Sequence, residues 1–290
     1  MKGWTETWRG IVAPWECDLT EHFTIAYYFD RLADAASAIG ASLSLTEASR
    51  SAGRRFDVRF VRELRAGASL HILSAPIALD EGHVRLGHQI VDSADGATTA
   101  WVEETLATGA APLPPETRDA IGRRLLPWPG PAVEQRPEPN TTHGFSATVR
   151  DRVKPLDLDA DGNFTLAAFV HRFTAASMQA LAAIGATAGY LHIERRGYST
   201  FELALRITRS PQLGSTVLVE TGIVHLGNSS IRFLHRMTNA TDGAELALLS
   251  QFGVQLDLDT RRPAPLAEPL RSAATRLVVP VGYSGAMSPK

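Results

Sequence analysis

The chain has 290 residues, 44% of them hydrophobic and 21% charged, with a formal net charge of −2. That balance describes a globular protein with a sizeable core and offers nothing to a nucleic-acid or anionic-membrane partner. A single cysteine, Cys17, excludes internal disulfides; with no apolar leader in MKGWTETWRG and no apolar run long enough to span a bilayer, the expected location is cytoplasmic.

A short strand over about 7–14 leads into WECDLTEHFTIAYYFDRL (15–32), which sets Glu16, Cys17, Asp18 and His22 on a polar loop ahead of a helix. In that helix Ile25, Tyr28, Phe29, Leu32, Ala36 and Ile39 share one face at i, i+3, i+4, i+7 spacing. Thr24 is the expected N-cap and Gly40 the expected residue just past the helix end. Alternating strands follow around 56–60, 84–90 and 99–107, with Asp95-Gly96 as a hairpin turn. Residues 112–139 carry eight of the seventeen prolines and read as an extended, stiff strap. Beyond it a strand over 146–153, a loop, a helix between Thr165 and Gly185 and strands around 201–207, 217–223 and 231–237 are expected, with Asp242-Gly243 as a second hairpin turn. The tail after Asp259 is proline-rich and without periodicity.

The two stretches are copies. PWECDLTEHFTIAYYFDR (14–31) aligns without gaps on PLDLDADGNFTLAAFVHR (155–172), so Pro14, Asp18, Phe23, Thr24, Ala26 and Arg31 recur as Pro155, Asp159, Phe164, Thr165, Ala167 and Arg172. Both helix regions reach Ile-Gly-Ala (39–41 and 184–186), the second about one turn later. Arg62, Gly67, Arg85, His88, Asp95 and Gly96 then match Arg209, Gly214, Arg232, His235, Asp242 and Gly243 at constant offset. The expected division is a first domain over 1–111, a linker over 112–142, a second domain over 143–262 and an irregular tail over 263–290. One long helix and a mostly antiparallel sheet per copy make an α+β unit.

A strand, the spacing D-x-x-x-H-x-x-x-x-Y, a long helix and a meander resemble the 4-hydroxybenzoyl-CoA thioesterase-like branch of the hotdog superfamily. The resemblance covers nearly the whole chain, once per copy. It implies two tandem hotdog domains packed as a pseudo-dimer, hydrolysis of an acyl-CoA thioester, no metal or redox cofactor, and the possibility of further self-association. It also implies that Asp18 and Asp159 hold the catalytic-acid position and that His22 holds the histidine position. Copy one departs from the pattern with Glu16 for its first acid and Glu21 for the usual glycine. Copy two keeps Asp157 and Gly162 but has Asn163 for histidine.

The chemistry is consistent with that resemblance. Attack on a thioester carbonyl creates an oxyanion, which backbone N–H groups at a helix start hold with help from the helix dipole. The expected donors are amides around Thr24, Ile25 and Ala26, with Tyr27 beside them on the acyl-pocket wall and Asn163 as the polar partner in copy two. Arg62 and its repeat mate Arg209 are the candidate phosphate contacts. Cys17 is read as a core-facing strand-end residue because its counterpart is Leu158, and His88 and His235 as packing residues on the apolar strand parity. DLDADGNFTLAA (157–168) imitates a calcium loop but ends in Ala168 where a bidentate glutamate belongs, and four N-x-S/T triplets, at Asn140, Asn163, Asn228 and Asn239, are read as chance. Three alternatives stand beside the acyl-CoA reading. They are a thioesterase for acyl carrier protein, a hydratase or dehydratase of the same superfamily, and a non-catalytic acyl-thioester binding protein.

Overall fold

The computed structural model describes residues 2–45, 53–108, 113–134, 136–139 and 143–279. Asn140, one of the four triplets, and residues 280–290 of the tail lie outside them.

The first half runs β1 (Thr5–Ile11), α1 (Ile25–Ser42), β2 (Arg54–Phe60), β3 (Ser69–Asp80), β4 (His83–Asp92) and β5 (Thr98–Ala107). The linker contains α2 (Pro115–Gly122). The second half repeats the first as β6 (Ser146–Arg152), α3 (Leu166–Ala183), α4 (Ala188–Glu194), β7 (Arg196–Ile207), β8 (Thr216–Leu226), β9 (Ser230–Asn239) and β10 (Glu245–Asp257), then β11 (Arg262–Pro263) and α5 (Glu268–Thr275). The fold class is α+β, as expected.

One antiparallel sheet runs through both halves in the order β1-β3-β4-β5-β2-β7-β10-β9-β8-β6, with β11 on β10. The order is its own mirror image about the β2–β7 pair, where Arg54↔Ile207, Phe56↔Leu205, Val58↔Leu203 and Arg59↔Glu202 are in register. Phe56, Val58, Leu203 and Leu205 from this seam belong to a core cluster that also holds Phe29 and Leu32 of α1 and Phe169 and Phe173 of α3. The helices therefore pack on the sheet and on each other, α1 over β1 and β3, and α3 over β6 and β8.

The hairpin turns stand where Asp-Gly pairs put them. Gly96 (φ 74°) and Gly243 (φ 70°) take the left-handed conformation that glycine adopts without steric cost, and Asp95 and Asp242 each accept the amide two residues on, at 2.9 Å.

The structure corrects several local expectations. Strands β3 and β10 had been missed: Pro76 interrupts the first pattern, and the second is an apolar run without alternation. The strap is not extended throughout, since Pro115 opens α2, whose buried Ile121 packs with Ile39, Leu43, Leu86 and Leu106. Nor are the described residues of the tail, 263–279, irregular. β11 pairs with β10, and α5 buries Leu270 and Ala274. Gly40 lies inside α1, and Leu43 is the C-cap, whereas Gly185 (φ 99°) sits just past Ile184, the C-cap of α3. Both helices thus have 18 residues. The later Ile-Gly-Ala of copy two marks a stop in a different place rather than a longer helix.

Candidate functional site

Each copy builds its loop in the same way. A single 3₁₀ turn, Pro14–Glu16 or Pro155–Asp157, follows the first strand, and its acid is buried. Glu16 pairs with Arg31 of α1 and accepts the Ala13 amide at 2.9 Å. Asp157 takes both guanidinium nitrogens of Arg172, at 2.8 and 2.7 Å, and the Lys154 amide at 2.8 Å. Burial raises the Asp157 pKa, but the Arg172 hydrogen bonds outweigh this and leave it below the usual carboxylate range. The first acid of each loop is therefore structural: it ties the loop to the helix.

The second acid closes the turn. Asp18 Oδ1 accepts from Thr20 N (2.8 Å), Thr20 Oγ1 (2.6 Å) and His22 N (3.2 Å). Asp159 Oδ1 does the same for Asp161 N (3.0 Å) and Asn163 N (2.8 Å). Between acid and histidine, Glu21 holds φ at 65°, a left-handed conformation that costs a non-glycine residue; copy two has Gly162 (φ 82°) there.

Here the copies diverge. His22 is buried. Its Nδ1 meets Thr20 Oγ1 at 3.0 Å, and its Nε2 meets Glu63 Oε2 at 2.8 Å and Arg261 Nη1 at 2.7 Å. Glu63 also accepts a long bond from Ser199 Oγ at 3.5 Å. Burial pulls the Glu63 pKa up, but the His22 hydrogen bond and charge, then Arg261 and Arg65, leave it below the ordinary value. Ser210 takes the place of Glu63 in copy two, where its Oγ accepts the Phe164 amide at 2.8 Å, and Asn163 is exposed. Among the described residues the second loop thus has the acid but neither the imidazole nor a counterpart of Glu63.

A cavity of about 520 Å³ opens beside the first loop. The β2–β7 ladder ends at Arg59↔Glu202, and from there Phe60–Leu64 and Tyr198–Phe201 line facing walls. Asp18, His22 and Glu63 form the polar end with Arg261; Phe23, Ile25, Tyr28, Leu256 and Pro263 supply much of the apolar lining. Both halves contribute. Their approach is tight: a Cβ at Gly197 would fall 2.9 Å from both Thr20 Cγ2 and Leu258 Cδ2.

The other expected contacts divide. The amide of Thr24 is taken by Glu16 O (2.9 Å) and that of Tyr27 by Thr24 O (3.0 Å). Among the described residues this leaves the amides of Ile25 and Ala26, orphans of the helix start, as the available donors. Tyr27 does not line the cavity; its ring meets His171 edge-on at 5.4 Å, in the contact between α1 and α3, and Tyr28 takes the wall position instead. Arg62 lines the rim but is paired with Asp95 and, at 3.8 Å, with Asp92. Arg209, Asp159 and Asn163 are exposed on the second half, away from this cavity. Cys17 is half-buried against the core, where burial raises its thiol pKa, and His88 and His235 are fully buried, as expected. Glu63 and Arg261 escaped sequence reasoning. Neither stands in the loop pattern, and only the fold brings them to His22.

Residues 153–274 match the family model of the thioesterase-like superfamily. No curated protein sequence matches the chain. Among solved structures, the chain is similar to an acyl-ACP thioesterase from Bacteroides thetaiotaomicron, at 10% identity, TM-score 0.65, and coverage of 85% of this chain and 96% of that one. It is also similar to the 12:0-ACP thioesterase from Umbellularia californica (13%, TM-score 0.63, 88% and 98%) and to a proposed oleoyl thioesterase from Lactobacillus plantarum (14%, TM-score 0.66, 87% and 96%). The chain has the tandem hotdog fold of these structures, and its residues 153–274 are similar to the thioesterase-like superfamily. In this tandem hotdog protein the two domains share one sheet, and the first half's loop faces a cavity walled by the second. Among the described residues no helix is long and apolar enough to cross a membrane.

Proposed function

We propose that the tandem hotdog protein hydrolyses an acyl-CoA thioester at the cavity beside its first loop. The observation that carries the reading is the convergence of Asp18, His22 and Glu63 on the polar end of an apolar cavity, next to a helix start with free amides. The acyl chain lies along the aromatic walls. Water attacks the carbonyl carbon and gives up its proton to a carboxylate; Glu63, whose pKa His22 and Arg261 keep below the ordinary value, is suited to that role, and Asp18 is the second carboxylate within the cavity lining. The oxyanion is met by the Ile25 and Ala26 amides at the positive end of α1. The C–S bond then breaks, the thiolate takes the proton back, and free acid and CoA leave.

A second reading is favoured by the similar structures, two of which are named acyl-ACP thioesterases. The same chemistry would then act on an acyl chain carried by acyl carrier protein. Thiol release measured across a panel of acyl-CoA and acyl-carrier-protein substrates separates the two. Faster release from CoA esters supports the first reading and faster release from carrier protein the second. Binding of acyl-CoA without any thiol release would reject both and leave an acyl-thioester binding protein.

A further inference from the structure

Tyr28 carries a hydroxyl that its packing does not require. It is the fourth residue of α1 after the N-cap Thr24, and its ring meets Phe23, the residue before the cap, with centroids 4.5 Å apart. Apolar side chains at these two positions staple a helix start and fix the angle at which the chain enters it. Copy two builds the same staple from Phe164 and Phe169, 4.7 Å apart, around the N-cap Thr165. Phenylalanine therefore suffices for the fold at this position. The difference between the two staples is one oxygen.

That oxygen contributes nothing visible to stability. Tyr28 is 4% exposed, and among the described residues no hydrogen bond holds its hydroxyl. Burying a hydroxyl without a partner is unfavourable. Tyr198 on the facing wall shows the alternative, since its hydroxyl donates to Ile231 O at 2.9 Å.

The surroundings of Tyr28 say where its hydroxyl stands. Tyr28 lines the cavity, as do Glu63 and Leu64. Burial raises the phenol pKa far above its ordinary value, the Glu63 charge adds to that, and the Leu64 amide opposes it. The hydroxyl is thus close to the polar end of the cavity, and at neutral pH it keeps its proton and is a donor. Side chains of a helix lean toward its N-terminus, which tilts this ring back toward the turn that bears the Ile25 and Ala26 amides.

We propose that Tyr28 is a catalytic residue of the first site, its hydroxyl donating to the thioester carbonyl oxygen as negative charge develops there, beside the amides of Ile25 and Ala26. The inference deepens the proposed function and rests on it. When water adds to the carbonyl carbon and its proton passes to a carboxylate, the C=O π pair moves onto oxygen. The phenol donates a hydrogen bond to that oxygen and transfers no proton. When the pair re-forms the carbonyl, the C–S bond breaks, and the leaving thiolate takes the proton from the carboxylate. The phenol ends the cycle as it began. In copy two Phe169 supplies no such donor.

The test is Tyr28→Phe in the full-length protein, a change that copy two already accommodates, so the melting temperature is expected to stay at or above wild type. With the thioesters that the substrate panel shows to be turned over, kcat for thiol release is expected to fall about 10²-fold, as it does on loss of one oxyanion donor. KM should change little, because the bond is made only in the transition state. The same fold-loss is expected for every acyl chain in the panel. Unchanged kcat, a loss in KM alone, or a melting temperature well below wild type would each overturn the proposal. So would a loss confined to substrates with an oxygen on the acyl chain, which would make the hydroxyl a reader of the chain rather than of the carbonyl. No thiol release from the wild type would remove the function and this proposal together, whereas unchanged release in Tyr28→Phe would remove the proposal alone.

Discussion

Asp18 and Asp159 occupy equivalent turns and make equivalent bonds, yet only one faces a histidine and a second carboxylate. A carboxylate that merely closes a turn can be replaced by asparagine, which keeps the volume and most of the hydrogen bonding. A carboxylate that takes a proton from water cannot, and loss of a general base costs about 10²–10⁴ in rate. Asp18→Asn is therefore expected to remove most thiol-releasing activity, and Asp159→Asn to reduce it modestly at most. Melting temperatures should stay near wild type in both. A crippled Asp159→Asn beside a healthy Asp18→Asn would move the active site to the second half. His22 and Asp18 were legible in the sequence because they stand four residues apart in a repeated loop. Glu63 was not, since its repeat mate is Ser210 and the alignment therefore drew no attention to it. Arg261 was even less so, because it reaches His22 across 239 residues of chain.

At the scale of elements, the two buried histidines show how one position serves two copies. His88 Nδ1 meets Ser74 Oγ at 2.7 Å, and its Nε2 lies 3.4 Å from Glu104, which Arg54 neutralises. Burial raises the Glu104 pKa, but the charge of Arg54 and the bond to His88 carry it down to about 2. Among the described residues no carboxylate bonds to His235. Its Nδ1 meets Thr221 Oγ1 of β8 at 2.8 Å and its Nε2 meets Ser177 Oγ of α3 at 3.1 Å, with Gln251 of β10 bonded to the same hydroxyl. Burial pushes the His235 pKa down from 6.5 to about 3. An unfolded chain takes up a proton at this site as the pH falls through 6.5, while the folded one resists until about 3, so acid favours unfolding across that window. The unfolding free energy in urea should therefore fall between pH 7 and pH 4, and His235→Gln should flatten part of that slope. An unchanged slope in the variant would mean that His235 does not stay neutral in the fold. Periodicity put both histidines on the apolar parity of their strands, but only the packing distinguishes a carboxylate-paired ring from one held by hydroxyls.

For the whole molecule, the question is what holds the halves together. The β2–β7 pair buries Phe56, Val58, Leu203 and Leu205, and full burial of four such side chains is worth on the order of 6–12 kcal/mol before ordering costs. The strap adds contacts across the outer face of the seam: Trp128 meets Trp101 edge-on at 5.4 Å, and Arg136 bonds Glu202 at 3.3 Å. Covalent continuity is then not what joins the domains. A protease site inserted after Arg124 and cleaved should leave two fragments that co-elute on gel filtration with unchanged far-UV dichroism and thiol-releasing activity. Fragments that separate in native buffer would show the seam to be weaker than its burial implies. The strap was visible as a proline-rich break, but its helix was hidden because three prolines in residues 112–115 read as extended chain, although proline is at home in the first turn of a helix.

Sequence alone determined the two amphipathic helices, the Asp-Gly turns and the acid-bearing loops, because these depend on spacing within short segments, and the duplication, because such segments recur in the same order. The α+β class followed from them. Tertiary structure decided what no local pattern contains. It showed that the first acid of each loop belongs to an arginine of the following helix, that Tyr28 rather than Tyr27 reaches the cavity, and that the sheet runs unbroken through both halves. It also brought Glu63 and Arg261 to His22. The reason is physical: an ion pair, a cavity wall or a strand edge is defined by its partner, and for His22 and for the central strands the partners lie in the other copy or beyond the motif.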